Sequence, residues 1–434
     1  MRKSKLLVLR VTLVVSLCIV VVVYCRRSTT YSHNTLLCSQ QEVNFSRAQS
    51  SEPFSVNTPE SNLKYSQLLQ DILRSYQHYH AARRIQFAVG TTSRALTWYC
   101  VSECGGIGDR VMGMCTAFLL ALVTNRTFFI YQSDEVQRTM FIERHSIDWR
   151  PVHKCVELVH GQTIEYFGEP SLFQTVFQMT TNFSLELDRL YTTDNIYISH
   201  KGNVLGTVHS ILESVISANL SPSHLRLLQY LVESGESASL HAFVTVLHQF
   251  LFRLPMEVRH MTISKLSQLK LQPHGFVTVQ IRTGFMNSLV GEMSLFNSQF
   301  WQGIRFARTQ ESWRNMMKCA VDVSDSRFGE GSRILVVSDD REPKIWAASE
   351  YGSRVTMLDI DPVHVANKPT LGVFRSKSRE VYLDTWVELS VMAESWAIVS
   401  IYSGYAEVAS HMGSMDSHSV YIYDISQKTC THLA

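Results

Sequence analysis

Two short apolar runs, residues 276–281 and 333–337, dominate the hydrophobic pattern in the second half of the chain. Both runs are rich in β-branched residues and end abruptly, which is typical of buried strands in a parallel sheet. Residues 300–323, between them, are predicted to be helical. A strand, a helix and a second strand predict a βαβ unit.

The charged residues that follow these strands are candidates for ligand binding. Arg282 follows the first run, and Asp339 and Asp340 follow the second. Ligands of open parallel sheets bind just beyond the carboxyl ends of the strands, so we expect these side chains at the rim of a site. A guanidinium fork suits a diphosphate, and carboxylates suit sugar hydroxyls. One aspartate is expected to cap the following helix and only the other to touch a ligand.

Strands and helices continue to alternate towards the C-terminus. The pattern predicts helices at 343–351 and 379–394, a helix that ends at 411, and strands at 354–358, 396–401 and 420–423, the last at an edge of the sheet. Repeated βα steps predict a Rossmann-like domain.

A second βαβ pattern lies in the first half of the chain. Predicted strands at 96–101 and 127–131 flank a predicted helix whose apolar positions run from 111 to 123, and the glycine-rich turn Gly105–Arg110 precedes that helix. Helix N-termini bind anions and glycines let the backbone approach a ligand, so the turn is a candidate binding loop. The alternative is a tight connection without a ligand, since the turn has neither the Walker pattern nor the dinucleotide GxGxxG spacing.

A length of 434 residues favours two domains. We place the N-terminal domain at 86–265 and the C-terminal domain at 266–434, with a linker near 259–273. Residues 208–251 are predicted to be mainly helical. Residues 26–85 are predicted to form a polar stem and a leading helix that packs on the folded part.

The N-terminus predicts a membrane anchor. Residues 1–5 are basic, and residues 6–25 are apolar apart from Arg10, which can snorkel to the interface. Basic residues ahead of the span favour a cytosolic tail. A cleaved signal peptide is the alternative, but no small-x-small pattern follows the span. We therefore predict a signal anchor with type II topology and a lumenal C-terminal part.

The sequons agree with a lumenal address. Asn44 and Asn182 are predicted glycosylation sites. Asn125 lies between a predicted helix and strand, where it is expected to be hidden, and Pro222 closely follows the sequon at Asn219.

The nine cysteines fit the same compartment without fixing any pairing. Cys18 and Cys25 belong to the predicted span. Cys115 lies on the apolar side of a predicted helix and is expected to be a buried free thiol. The remaining six could form disulfides.

The composition and net charge of the chain bear on whether it binds nucleic acid. The hydrophobic content of 45% and charged content of 18% are ordinary for a folded protein, and the net charge of +2 offers no broad basic field. Nucleic acid is therefore excluded as the main partner.

Four motifs stand in a specific order along the chain. They are Gly105–Arg110 with the helix that follows, Val279–Gly284, Ser338–Asp340, and Tyr402–Gly404 followed by Glu407 and Ala409. Together they resemble the motifs of GT-B type fucosyltransferases, the GDP-fucose-dependent α1,2/α1,6/O-fucosyltransferase superfamily. There are two departures: Gln280 stands where many members have histidine, and Phe285 stands where an acid often follows.

The resemblance implies an α/β, GT-B-like fold of two facing Rossmann-like domains, with GDP-fucose bound mainly by the C-terminal one. It implies that Arg282 contacts the β-phosphate and stabilises the leaving GDP, a task that a metal performs in other enzymes, so that neither metal nor cofactor is needed. The other residues implied are Asp339 or Asp340 for the guanine or ribose, Ser403 and Gly404 for the pyrophosphate, Gly106, Gly108 and Arg110 on the facing rim, and Asp109 or Glu292 as the carboxylate that assists the acceptor.

The implied function is inverting transfer of fucose to a glycan or glycoprotein hydroxyl by a Golgi type II membrane protein. One alternative is another nucleotide sugar on the same fold. Another is a binding protein without turnover, which Gln280 and Phe285 motivate. Asp359 and Asp361 look like the DxD metal motif of GT-A glycosyltransferases, but they follow a predicted strand and precede Pro362, so we interpret them as turn residues.

Overall fold

The computed structural model describes residues 63–88, 94–100, 107–132, 142–143, 149, 195–198, 208, 211–213, 217–233, 237–283, 307–360, 378–401 and 403–433. The predictions for the tail, the anchor and the stem up to residue 62, and for Asn44, Gly106, Asn182 and Glu292, lie outside these residues. Within them, no helix is long and apolar enough to cross a membrane.

The C-terminal part is built on a six-stranded sheet. Its strands are β6 (Val277–Ile281), β7 (Ile334–Ser338), β8 (Val355–Thr356), β9 (Ala397–Ser400), β10 (Val420–Asp424) and β11 (Thr429–His432). The order is β11-β10-β9-β6-β7-β8, and all neighbours are parallel except β10 and β11. If β6 is numbered as the first strand of this part, the order is 6-5-4-1-2-3, which is the doubly wound Rossmann arrangement. This agrees with the prediction of a Rossmann-like domain here.

Helices cover both faces of this sheet, which explains the continuous apolar character of its strands. They are α5 (Met256–Leu269), α6 (Gln310–Phe328), α7 (Arg341–Tyr351), α8 (Ser378–Ala393) and α9 (Gly404–Met412). Val277, Val279 and Ile281 share one core with Trp313 and Met316 of α6. The alternate residues Leu335, Val337 and Ile398 share another with Trp386 of α8.

The N-terminal part contains a second parallel sheet. Its elements are α1 (Leu63–Ala88), β1 (Ala95–Cys100), α2 (Ile107–Val123), β2 (Thr127–Gln132), β3 (Ile142–Glu143), β4 (Asn195–Ile198), α3 (Pro222–Glu233), α4 (Ser237–Leu251) and β5 (Phe252–Arg253). β1 lies between β2 and β4 and is parallel to both, while β3 pairs with β5. The leading helix α1 packs on this part as predicted, and its Tyr76 hydroxyl donates to the Arg126 carbonyl at 2.6 Å.

The two parts share a continuous apolar core. All of α2 except Asp109 is buried. The same core includes Phe118 of α2, Leu247 of α4, Trp386 of α8 and Val408 of α9. The N-terminal helices therefore pack directly on the helices that cover one face of the C-terminal sheet.

Three predictions from the sequence were wrong. Asn125 was expected to be hidden, but it is exposed in the turn between α2 and β2. The expected linker at 259–273 is mostly helix α5, because Val258, Thr262 and Leu266 recur at helical spacing and are buried. The expected edge strand, β10, is not at the edge, since β11 pairs with its outer side.

Cys319 of α6 and Cys430 of β11 form a disulfide, which ties the edge strand to the helix beneath it. Cys115 is a buried free thiol, as predicted.

Candidate functional site

The site begins at the point where the strand order reverses, between β6 and β9. The two strands pair directly, with Gln280 opposite Ser400. In open parallel sheets, ligands bind beyond the carboxyl ends of the strands at such a point. Arg282 follows β6 and Ser403 follows β9 at this same edge. The half-buried Arg282 is therefore at the predicted strand end.

The two aspartates after β7 have different roles. Asp340 caps α7, because its Oδ1 accepts from the Glu342 N–H at 3.1 Å. Asp339 Oδ1 accepts from the Thr283 N–H at 2.7 Å and from the Thr283 hydroxyl at 3.0 Å. The prediction that one of the pair is a helix cap is confirmed. Asp339 holds the residue next to Arg282 in place.

Two helices from different parts of the chain begin at one contact. Gly108 lies in the first turn of α2, and Gly404 is the first residue of α9. A Cβ on Gly108 would stand 2.3 Å from the Gly404 carbonyl carbon and 2.8 Å from the Tyr405 nitrogen, so only a glycine fits there. The N–H groups of a helix's first turn have no partner within the helix, and the helix dipole is positive at that end. Two such ends side by side form a setting suited to an anion.

Ser403 adds a hydroxyl to this contact. It occupies the N-cap position of α9, yet its side chain does not cap the helix. The residue is only 4% exposed, and its Oγ makes no hydrogen bond to the described part of the chain. A buried hydroxyl without a partner is costly. The arrangement is therefore suited to donating to a ligand oxygen.

The other predicted residues of the facing rim belong to α2. Asp109 is half-buried in its first turn, and Arg110 is 8% exposed. Because Gly108 contacts Gly404, the structure brings this turn to the edge that carries Ser403.

A buried polar network lies beneath the same edge. Glu388 of α8 accepts from the Tyr405 hydroxyl at 3.1 Å and pairs with Lys344 of α7 at 3.5 Å. Burial raises the pKa of Glu388, while Lys344 and the Tyr405 hydrogen bond act in the opposite direction. Burial and the neighbouring Glu388 carboxylate raise the pKa of Tyr405. This network was missed from the sequence. A glutamate inside the apolar segment 386–392 was the one available signal.

The described residues hold no group of three or more histidines, cysteines and acids that could bind a metal ion. Asp359 is exposed after β8, and Asp361 lies outside the described residues.

The comparisons with known proteins concern the fold. No protein-family model matches the sequence, and no curated protein matches it either. The structure is similar to that of a mutant form of Arabidopsis thaliana FUT1 in complex with GDP, with a TM-score of 0.54 and 13% identity over 84% of this chain and 82% of that one. It also aligns with the Bradyrhizobium α-1,6-fucosyltransferase NodZ soaked with GDP-fucose, with a TM-score of 0.43 and 12% identity over 79% of this chain and 99% of NodZ. The chain therefore has the mixed α/β fold, with parallel sheets, of FUT1.

Proposed function

We propose that this protein is a glycosyltransferase that transfers fucose from GDP-fucose to a glycan or glycoprotein hydroxyl, with inversion at the sugar. The observation that carries the proposal is the Gly108–Gly404 contact, where two helix N-termini meet at the switch point of a Rossmann-ordered sheet. Such a site suits a diphosphate. The similar FUT1 structure contains GDP, whose diphosphate is a group of this kind.

Each proposed donor contact follows from the position of a residue on this edge. Arg282 meets the β-phosphate with its guanidinium fork, and Ser403 with the N–H groups at the start of α9 donates to the diphosphate. Asp339 holds Thr283, the residue after Arg282, through two hydrogen bonds. Donors fixed before the reaction stabilise the charge that develops on departing GDP, so a metal ion is not required.

The proton of the acceptor hydroxyl goes to a carboxylate in this proposal. Asp109 stands in the first turn of α2, next to the contact with Gly404, and Glu292 is the other candidate. We further propose that the protein acts in Golgi membranes as a type II protein, with residues 6–25 as the anchor.

A donor and acceptor screen tests the function. The full-length protein in membranes is incubated with labelled GDP-fucose or other nucleotide sugars and with an array of glycan acceptors. Transfer from GDP-fucose that persists in EDTA is expected. Transfer from another nucleotide sugar but not from GDP-fucose would show that the donor is not GDP-fucose. Donor binding without any transfer would favour a binding protein.

A further inference from the structure

The network of Lys344, Glu388 and Tyr405 is a second structural support of the site. Glu388 is 9% exposed and Lys344 is 4% exposed. The Tyr405 hydroxyl lies 3.1 Å from both Glu388 Oε2 and the Thr385 carbonyl. Lys344 Nζ lies 3.5 Å from Glu388 Oε1 and 3.4 Å from the Ile360 carbonyl. Both charged groups thus have partners in the interior.

These contacts join the segments that follow three strands of the sheet, β7, β8 and β9. Lys344 is in the first turns of α7, after β7, and Ile360 follows β8. Tyr405 is in the first turn of α9, after β9. One carboxylate in the middle of α8 therefore links the ends of strands on both sides of β6.

Stability alone is a weak explanation for this network. Replacing a buried ion pair with apolar residues is often neutral or stabilising, because both charges lose their hydration on folding. The network does, however, fix Tyr405, whose backbone nitrogen is one of the atoms closest to the Cβ position of Gly108. A shift of the Tyr405 ring would move the N–H groups at the start of α9.

We infer that Tyr405, held by Glu388 and Lys344, is a positioning residue that fixes the first turn of α9 for the diphosphate of the donor. The inference rests on the proposed function. It adds that the affinity for the diphosphate depends on a hydroxyl beneath the site that does not touch the ligand.

The test compares two variants that each remove one buried tyrosine hydroxyl. Tyr405→Phe removes the bonds to Glu388 and to the Thr385 carbonyl. Tyr76→Phe, the matched control, removes the bond to the Arg126 carbonyl in the N-terminal part. Both full-length variants are expected to lose some thermal stability. Only Tyr405→Phe is expected to raise the Kd for GDP, measured by calorimetry, and the KM for GDP-fucose, each by about tenfold.

A second variant separates geometry from charge. Glu388→Gln keeps an acceptor for the Tyr405 hydroxyl, so it should weaken GDP binding less than Tyr405→Phe does. The inference is overturned if Tyr405→Phe loses as much stability as Tyr76→Phe but binds GDP like the wild type, or if Glu388→Gln weakens GDP binding more. If the wild type binds no GDP, the proposed function fails and the inference fails with it.

Discussion

Gly108 and Gly404 face each other but tolerate substitution differently. A Cβ on Gly108 would collide with backbone atoms of residue 404 at 2.3 and 2.5 Å, whereas a Cβ on Gly404 would meet Gly108 at an ordinary 3.5 Å. We expect Gly108→Ala to lower the free energy of unfolding by about 3 kcal/mol, because backbone cannot move aside as a side chain can. Gly404→Ala should change it by about 0.5 kcal/mol or less. Urea denaturation measures both, and equal losses would contradict the close contact.

Substitutions of Arg282 test the chemistry of the site rather than its packing. Arg282→Ala and Arg282→Lys should both fold, since the residue is half-buried at a strand end. Both should lose transfer activity by about a hundred- to a thousandfold, the effect of removing a donor to a developing anion. Lysine keeps the charge and loses the fork, so it should retain more donor binding than alanine.

Initial rates and donor binding are measured for both Arg282 variants. A folded Arg282→Lys protein with near-normal turnover would show that Arg282 does not contact the diphosphate. Misfolding of both variants would indicate a structural ion pair instead.

The edge strand β11 carries a covalent link to a helix. The Cys319–Cys430 disulfide connects it to α6 across 111 residues of sequence. Removing a native disulfide typically costs about 2–5 kcal/mol. We expect Cys319→Ser and Cys430→Ser each to lower the melting temperature, and the double variant to lower it little further because one bond is lost in all three. Additive losses would show that the two cysteines are not bonded in solution.

The sequence predicts well those strands that are buried on both faces of the sheet. β6, β7 and β9 could be predicted from their short β-branched runs. β11 could not, because Thr429–His432 is a short polar segment whose place depends on Val420–Asp424 beside it. Helix α5 was missed because its exposed face carries Met256 and Ile263, which blur the apolar stripe.

The same division applies to the candidate site. Arg282 and Ser403 could be predicted because they follow strands directly. The Tyr405–Glu388–Lys344 network could not be predicted. Lys344 and Glu388 are 44 residues apart, and the periodicity of a helix does not predict which residues of other helices it contacts.

The molecule as a whole is held together partly by a histidine pair between its two parts. His241 of α4 and His411 of α9 lie in contact, with ring centroids 4.4 Å apart and ring planes tilted by 32°. His241 Nε2 lies 3.1 Å from the Met415 carbonyl and therefore donates to it. The Thr245 hydroxyl donates to the His241 carbonyl at 2.9 Å, so it accepts from His411 Nδ1 at 2.8 Å. Each ring thus makes its hydrogen bond in the neutral form.

Acidification should therefore weaken the contact between the two parts. Burial lowers the pKa of both His241 and His411 from 6.5 to about 3. Between these values the unfolded chain binds more protons than the folded one, so the stability is fully present above about pH 6.5 and falls as the pH drops towards 3. Each histidine contributes a slope of up to about 1.4 kcal/mol per pH unit. Glu407 and Asp416 favour the protonated form of His241, and burial raises the pKa of Glu407. Burial and the nearby Glu407 carboxylate raise the pKa of the Cys115 thiol.

The pair His241→Gln and His411→Asn isolates this effect. Glutamine can replace the Nε2 donor of His241 and asparagine the Nδ1 donor of His411, so both hydrogen bonds can persist without a titrating ring. We expect the unfolding free energy of the double variant, measured in urea from pH 7 to pH 4.5, to fall less steeply than that of the wild type, by up to about 2.7 kcal/mol per pH unit. The exposed His260→Gln serves as the control and should follow the wild type. The other titrating groups are the same in the wild type and the double variant. Parallel curves for these two proteins would therefore show that the buried histidines do not make the stability depend on pH.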